Sequence, residues 1–339
     1  VYGLFIGGVG YFCYYMFFTN SQLWDGSYIA FAGTLCFGQL VFNNFAREFR
    51  LKQQIKKQFS TYLSPDMVAE LQKNPDLLKL GGETRDLTIM FTDVRGFTAI
   101  SEHYGENVQG LTQIMNRYMT AMTKNILLNN GTLDKYIGDA QMAFWNAPLD
   151  NTNHAKHAVK TALEMLNDLD KFNEEVAKEG VPAFGMGIGI NSGPVVVGNM
   201  GSTQRFDYTC LGDNVNLASR LEGQSKAYGV KLILGENTAE KVKDEYKLAE
   251  LDIIAVKGKT KGTRIYTVMF DNYEKDSDNH VEFLNLYREQ KWDEALEHIE
   301  KLRGNQLDEY YQIMRERINE LKKKPKVKNW DGVYKATSK

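Results

Sequence analysis

Between Val1 and Ala46 the chain carries a single charged side chain, Asp25, and this near-absence of charge limits what its start can become. Val1 to Phe18 is uncharged and about as long as the roughly 17–25 residues that cross the hydrocarbon core of a bilayer as a helix. Ser27 to Ala46 is a second uncharged stretch, diluted by Gly33, Gly38 and Gln39. A signal peptide would need a basic lead-in and a small-residue cleavage site, and the first run has neither. A buried core helix is the competing account of the second run. Two adjacent runs of this length predict a transmembrane helical hairpin over residues 1–46. The chain opens at Val1 inside an apolar run, so a segment upstream of it is expected.

The flanks set an orientation. The connector Thr19 to Gly26 has no Lys or Arg, whereas Arg47, Arg50, Lys52, Lys56 and Lys57 follow the second run. Basic residues stay on the cytoplasmic side, so everything after Ala46 is expected in the cytoplasm, on a multi-pass protein of the inner (plasma) membrane. From Phe45, the apolar positions Phe49, Leu51, Ile55, Phe59, Tyr62 and Leu63 recur at helical spacing. Residues 47–85 therefore read as a linker or signalling helix. It is either a short coiled coil continuous with the membrane helix or an amphipathic helix packed on its own domain. Ser64-Pro65-Asp66 ends that helix and opens another.

Bulk properties exclude little beyond this. A net charge of -2 gives no electrostatic case for a nucleic-acid partner. Cys13, Cys36 and Cys210 have neither disulfide-type nor zinc-type spacing, and two of them lie in apolar segments. Residues 86–270 read as one α/β domain. A strand is expected at Leu87–Thr92, helix from Gly96 to Asn129, and two short strands over Thr132–Trp145 broken at Gly138-Asp139. An amphipathic helix follows at His154–Lys178, then a strand at Phe184–Ile190 and a helix at Val215–Tyr228.

Two glycine patterns mislead. Gly258-Lys259-Thr260 looks like the end of a phosphate-binding loop, but the earlier glycine that loop needs would fall at Ile253. Gly185, Gly187 and Gly189 suggest a dinucleotide fingerprint, yet its third glycine would fall at Ile190. Alternating glycines in a strand point instead to a close backbone approach. The five histidines are scattered, and no Cys/His set has zinc spacing.

Three segments carry chemistry. Asp93, in Phe91-Thr92-Asp93-Val94-Arg95-Gly96-Phe97-Thr98, ends a strand where a carboxylate has no packing role. Gly96 allows a tight turn, and a helix beginning at Phe97-Thr98 offers free amide groups that favour phosphate. Asp139, in Lys135-Tyr136-Ile137-Gly138-Asp139, sits at a hairpin tip that could lie beside that strand. Two hard carboxylates next to an amide-lined turn suit a divalent metal and a triphosphate. Taken singly, each Asp reads first as a turn or cap residue. The third segment runs from Phe206 to Arg220. In it Asn216 and Arg220 are four apart and share one helix face, which by itself reads as a solvated face but also offers an amide for a ribose and a fixed cation for a phosphate.

Together with Gly189-Ile190-Asn191-Ser192-Gly193-Pro194, these segments resemble the class III nucleotide cyclases over roughly Leu87 to Phe270, in family order. The resemblance implies an α+β cyclase-homology domain, a ferredoxin-like βαββαβ core with extra strands. It implies that Asp93, Asp139 and the backbone of Val94 hold two divalent ions, Mg or Mn. It implies that Gly96, Phe97 and Thr98 meet the phosphates, and that Lys135 and Thr209 read the purine. Asn216 would orient the ribose, Arg220 would stabilise the pentavalent phosphorus, and Lys257 would contact the triphosphate, with Lys259 competing for that part. In this family a lysine with Asp or Thr goes with ATP, and a Glu and Cys pair with GTP. Lysine only donates hydrogen bonds, so it suits adenine N1 and meets the N1–H of guanine badly. The resemblance thus implies an adenylyl cyclase that converts ATP to 3′,5′-cyclic AMP, with guanylyl cyclase or a silent nucleotide-binding module as alternatives. A diguanylate cyclase would need a Gly-Gly-Asp-Glu-Phe-like segment, which is absent.

In this family the metal aspartates come from one subunit and the purine readers, Asn and Arg from the other. One chain carrying both halves implies a head-to-tail homodimer. Phe59-Ser60-Thr61-Tyr62-Leu63-Ser64-Pro65 and Asn329-Trp330-Asp331-Gly332-Val333-Tyr334 resemble bacterial cyclases with an extracytoplasmic CHASE-type sensor, which would lie upstream of Val1 and outside this chain. In residues 271–339, Phe283, Leu284, Tyr287, Trp292, Ala295, Leu296 and Ile299 resemble one tetratricopeptide-like hairpin. Such repeats need about three units to stand alone, so packing on the cyclase domain is the expected arrangement.

Overall fold

The computed structural model describes residues 2–60, 68–69, 72–73, 82–201, 206–255, 262–270, 273–302, 304–328 and 330–335. They fall into two compact units, the first containing the N-terminal helices and the second everything from Gly82 onward.

The first unit is a helical hairpin of α1 (Tyr2–Asn20) and α2 (Ser27–Phe59). Asp25 accepts a hydrogen bond from the Ser27 amide at 2.9 Å, which secures the start of α2. The Tyr2 ring stacks on Phe37 with centroids 4.5 Å apart, and its hydroxyl lies 2.5 Å from Thr34 Oγ1. A side chain at Gly33 would come within 2.3 Å of Phe5, so the small residue lets the helices close. Only one helix among the described residues is long and apolar enough to cross a membrane, Ser27–Gln54, with mean hydropathy 1.3. This corrects the expectation of two spans. Although α1 is an uncharged helix, Tyr2, Tyr11, Tyr14 and Tyr15 and four glycines dilute its hydropathy. α2 continues unbroken to Phe59, so the basic stretch that follows the apolar run belongs to the same helix.

The second unit is built on a nine-stranded sheet ordered β2 (Thr132–Ile137), β3 (Ala140–Trp145), β1 (Glu83–Arg95), β4 (Gly185–Gly201), β6 (Leu232–Gly235), β8 (Thr263–Met269), β7 (Lys247–Ala255) and β9 (Val333–Lys335), with β5 (Phe206–Leu211) paired to the far end of β4. Its first half is a βαββαβ unit. β1 (Glu83–Arg95) leads through α3 (Phe97–Tyr104) and α4 (Val108–Leu128) to the hairpin of β2 (Thr132–Ile137) and β3 (Ala140–Trp145), and α5 (His154–Ala177) returns the chain to β4 (Gly185–Gly201). β1 lies between β3 and β4, antiparallel to both, with Thr92 opposite Gln141 and Asp93 opposite Gly187. Side chains alternate across a strand. Met90 and Val94 face α4 and α5, while Leu87 and Ile89 face the opposite layer. Phe91 and Asp93 continue that second row by the same alternation.

The second layer is formed by β5 (Phe206–Leu211) and α6 (Asp213–Ala227), followed by β6 (Leu232–Gly235), α7 (Glu236–Val242), β7 (Lys247–Ala255) and β8 (Thr263–Met269). α6 lies on β4 at Gly187 and Gly189. A Cβ at Gly189 would sit 2.2 Å from the Glu222 amide nitrogen and 2.5 Å from the Ala218 carbonyl. The alternating glycines are therefore a seat for a helix backbone.

The C-terminal segment folds as α8 (Tyr273–Arg288), α9 (Trp292–Lys301), α10 (Asp308–Lys322) and a short β9 (Val333–Lys335), which joins β7 in parallel. Its Phe283, Tyr287, Tyr310 and Met314 share one buried cluster with Leu221, Tyr228 and Ile265 of the sheet domain. Within this cluster Arg317 pairs with the fully buried Asp252 at 2.7 Å, and Tyr228 donates to the same carboxylate oxygen at 2.6 Å.

Candidate active site

The turn after β1 is built as its sequence requires. Gly96 adopts φ +83, a left-handed conformation that glycine takes without penalty, and α3 starts at the next residue. Gly138 adopts φ +67 at the tip of the β2–β3 hairpin, which presents Asp139 beside the end of β1. Asp93 is half-buried, and both its burial and the neighbouring Asp139 charge push its carboxyl above the ordinary aspartate range. A third acid joins them. Glu222 of α6 is pushed up to about 7, by burial first and then by the Asp93 charge, with Asp139 adding less. The Arg95 guanidinium lies beside Asp93 and Glu222 and offsets part of that upward push, which leaves Asp93 and Asp139 as the hard oxygen donors that fit a divalent metal. Among the described residues no His/Cys/Asp/Glu group of three is tight enough to close a metal cage by itself, so water or phosphate would complete any coordination shell.

Lys135 and Thr209 are 74 residues apart in sequence and meet side by side. The Lys135 ammonium donates to Thr209 Oγ1 at 3.3 Å. Thr209 in turn donates to Asp134 Oδ2 at 2.5 Å, and Asp134 Oδ1 lies 3.2 Å from Lys135 Nζ. Consecutive strand residues normally point to opposite faces. Here the β2–β3 register shifts between Leu133 and Lys135, and the bulge brings Asp134 and Lys135 to the same threonine. Asp134 is buried, while the Lys135 side chain remains 41% exposed.

Asn216 and Arg220 lie one turn apart on α6, whose N-terminus follows Gly212. Asn216 is exposed and Arg220 half-buried. Neither side chain has a hydrogen-bond or ion-pair partner among the described residues. An arginine held on a packed helix with its guanidinium uncommitted is suited to a phosphate from outside the chain. Lys257, and with it Val256 and Lys259, lies outside the described residues.

Sequence reasoning missed Asp134, Glu222 and Arg95. Arg95 donates to Ser225 Oγ at 2.6 Å and to the Val230 carbonyl at 2.7 Å, tying the end of β1 to the end of α6. Nothing in the sequence marks the bulge that recruits Asp134. Glu222 sits one turn beyond Ala218 on the face that Gly189 admits, a signal visible only once α6 is docked on β4.

The fold and the grouped residues define a nucleotide-cyclase catalytic domain. Residues 82–270 match the model of the adenylate and guanylate cyclase catalytic domain, and the chain belongs to that family. It is 34% identical over 214 residues to adenylate cyclase 1 of Rhizobium meliloti, covering 62% of this chain and 31% of that protein. It is 35% identical over 238 residues to an adenylate cyclase of Anabaena cylindrica, covering 68% of this chain and 45% of that one. The chain thus spans less than half the length of these curated relatives. Among solved structures, the adenylyl cyclase CyaB of P. aeruginosa is similar at 33% identity and TM-score 0.53, over 57% of this chain and 98% of that chain. The guanylyl cyclase Cya2 is similar at 32% and 0.51, over the same shares. Overall similarity therefore leaves the choice of purine to the residues of the site.

Proposed function

We propose that this chain is an adenylyl cyclase, forming 3′,5′-cyclic AMP and pyrophosphate from ATP in a head-to-tail homodimer. The observation that carries the reading is the contact between Lys135 and Thr209, with Asp134 behind them. Adenine presents an acceptor at N1 and a donor at its 6-amino group. Lys135 has a further N–H to give N1, and Thr209 has a lone pair to receive the amino group. Guanine reverses both positions.

Asn216 would then hold the ribose and orient its 3′-hydroxyl, and Arg220 would bind the equatorial oxygens of the α-phosphate as charge builds there. The bond from the 3′-oxygen to the α-phosphorus forms in line with the bond that breaks to pyrophosphate, and the hydroxyl proton passes to solvent water. The amides at the start of α3, at Phe97 and Thr98, are suited to the phosphate chain. Divalent ions, Mg or Mn, bound by Asp93, Asp139 and the Val94 carbonyl would supply charge neutralisation and hydroxyl activation. Lys257 is proposed as a further triphosphate contact.

The uncommitted side chains of Asn216 and Arg220 support a site completed by a second copy. So does the exposure of Val196 and Leu211, register partners on β4 and β5 that present apolar surface near the purine pair. α2 is proposed as a single membrane span, with the basic run from Arg47 to Lys57 and the catalytic domain in the cytoplasm. The test is product identification from the purified full chain, given ATP or GTP with Mg²⁺ or Mn²⁺. Cyclic AMP is expected. No product with either metal would refute the enzyme reading, and a preference for GTP would refute the purine assignment.

A further inference from the structure

We propose that Asp134 is the positioning residue that makes Thr209 an adenine reader, by fixing its hydroxyl as an acceptor. The inference rests on the adenylyl cyclase reading above and adds to it the origin of the purine preference. A threonine hydroxyl has one proton and two lone pairs, and its rotation is otherwise free. Unfixed, it could donate to the 6-oxo group of a guanine or hypoxanthine as readily as it accepts from the 6-amino group of adenine. Selectivity by threonine alone would therefore be weak.

Three observations remove that freedom. Thr209 donates its proton to Asp134 Oδ2 at 2.5 Å, so the proton is committed inward. Lys135 donates to the same Oγ1 at 3.3 Å and occupies one lone pair. One lone pair is left, and it can only accept. Asp134 is 2% exposed, so water does not compete for this bond. Burial pushes its carboxyl above the ordinary range, but the groups that face its oxygens, the Thr209 hydroxyl and the Lys135 ammonium, are donors, so the carboxyl is set as an acceptor. The bulge at Leu133/Lys135 is what allows the acid to reach Thr209 from behind.

The identity of Asp134 then sets the sign of the hydrogen bond offered to the purine. The Lys135 ammonium, 3.2 Å from Oδ1, would keep the carbonyl oxygen of an asparagine on its own side. The asparagine NH₂ would face Thr209 and donate to it, turning the hydroxyl proton outward. Asp134→Asn should thus convert Thr209 from an acceptor to a donor with no change in size.

The test compares ATP, purine riboside triphosphate (hydrogen at position 6) and inosine triphosphate (oxo at position 6) on the full chain. In the unsubstituted protein the 6-amino group should be worth roughly 3–12-fold in kcat/KM over the 6-hydrogen analogue, the value of about one hydrogen bond. In Asp134→Asn this preference should fall to within about twofold, and inosine triphosphate should gain relative to ATP. In Asp134→Ala the preference should also collapse, without the gain for the 6-oxo base. Thr209→Val should remove the preference alone and change nothing further in the Asp134→Ala background. A structural role for Asp134 would lower all three substrates by one factor, and an unchanged ratio of ATP to the 6-hydrogen analogue would overturn the proposal. Absence of turnover in the unsubstituted chain would instead refute the cyclase reading. The same ratio taken from dissociation constants by calorimetry then decides the role of Asp134.

Discussion

Replacing Gly189 with alanine should damage the enzyme more than its single added methyl suggests. The new Cβ would lie 2.2 Å from the Glu222 amide nitrogen, 2.7 Å from the Glu222 Cα and 2.5 Å from the Ala218 carbonyl. All three are backbone atoms of α6, so no side-chain rotation relieves the clash. Ordinary contact begins near 3.4 Å, and the helix and β4 must therefore separate by more than 1 Å. Overpacking of this kind costs about 1–3 kcal/mol. For a domain of this size that lowers the unfolding midpoint by roughly 2–4 °C per kcal/mol. Activity should suffer more, because the same helix carries Asn216 and Arg220, and a displacement of ~1 Å at reacting groups can cost about 10²-fold. Gly187→Ala supplies the contrast. Its Cβ meets the Ser225 hydroxyl at 2.5 Å and the Glu222 carboxylate at 2.7 Å, side-chain atoms that can turn aside without moving the helix backbone, at the cost of the Arg95–Ser225 hydrogen bond. Thermal unfolding and cyclic nucleotide production, measured on both variants, should rank Gly189→Ala well below Gly187→Ala. Equal effects, or a Gly189→Ala protein within twofold of normal activity, would refute the helix-seat argument.

Other consequences follow from named contacts. Arg317→Met leaves the Asp252 carboxylate buried without its cation, which should cost about 3–5 kcal/mol in urea unfolding; adding Asp252→Asn should recover much of that loss. His280 is fully buried between the Tyr311 hydroxyl and the Glu250 carbonyl, each at 2.7 Å, and burial depresses its pKa to about 4. The neutral form is the folded one, so its contribution is complete above the unfolded value near 6.5 and is lost as pH falls toward 4. The stability difference between the unsubstituted chain and His280→Gln should shrink by about 3 kcal/mol across that window, and a flat difference would contradict the assignment. Lys135→Glu combined with Thr209→Cys should weaken ATP use and admit GTP, read as the ratio of kcat/KM for the two nucleotides.

The placement of the candidate site residues was largely legible because they sit on turns and strand ends whose local rules are strong. Gly96 and Gly138 mark the two turns, and both adopt left-handed φ. The helix at Val215–Tyr228 and the hairpin over Thr132–Trp145 fall within a few residues of α6 and of β2 with β3. The N-terminus was less legible. Absence of charge made α1 look like a span, while its tyrosines and glycines hold it short of the required hydropathy. Asp134 was invisible for a different reason. Its role depends on a bulge in β2 and on a partner 75 residues away, and neither local propensity nor periodicity encodes such a contact. Glu222 and Arg95 likewise acquire their neighbours only when α6 docks on β4.

The composite site is tested most directly by complementation. Asp93→Ala should abolish the metal half of each site it enters, and Arg220→Ala the phosphate half. Each variant alone should be nearly inactive. Mixed and allowed to exchange subunits, they form heterodimers in which one site carries both lesions and the other carries none. Cyclic AMP production should then return to about a quarter of the unsubstituted rate, since roughly half the dimers are mixed and each has one intact site. Heterodimers that form and remain inactive would contradict a site shared between two copies of this chain.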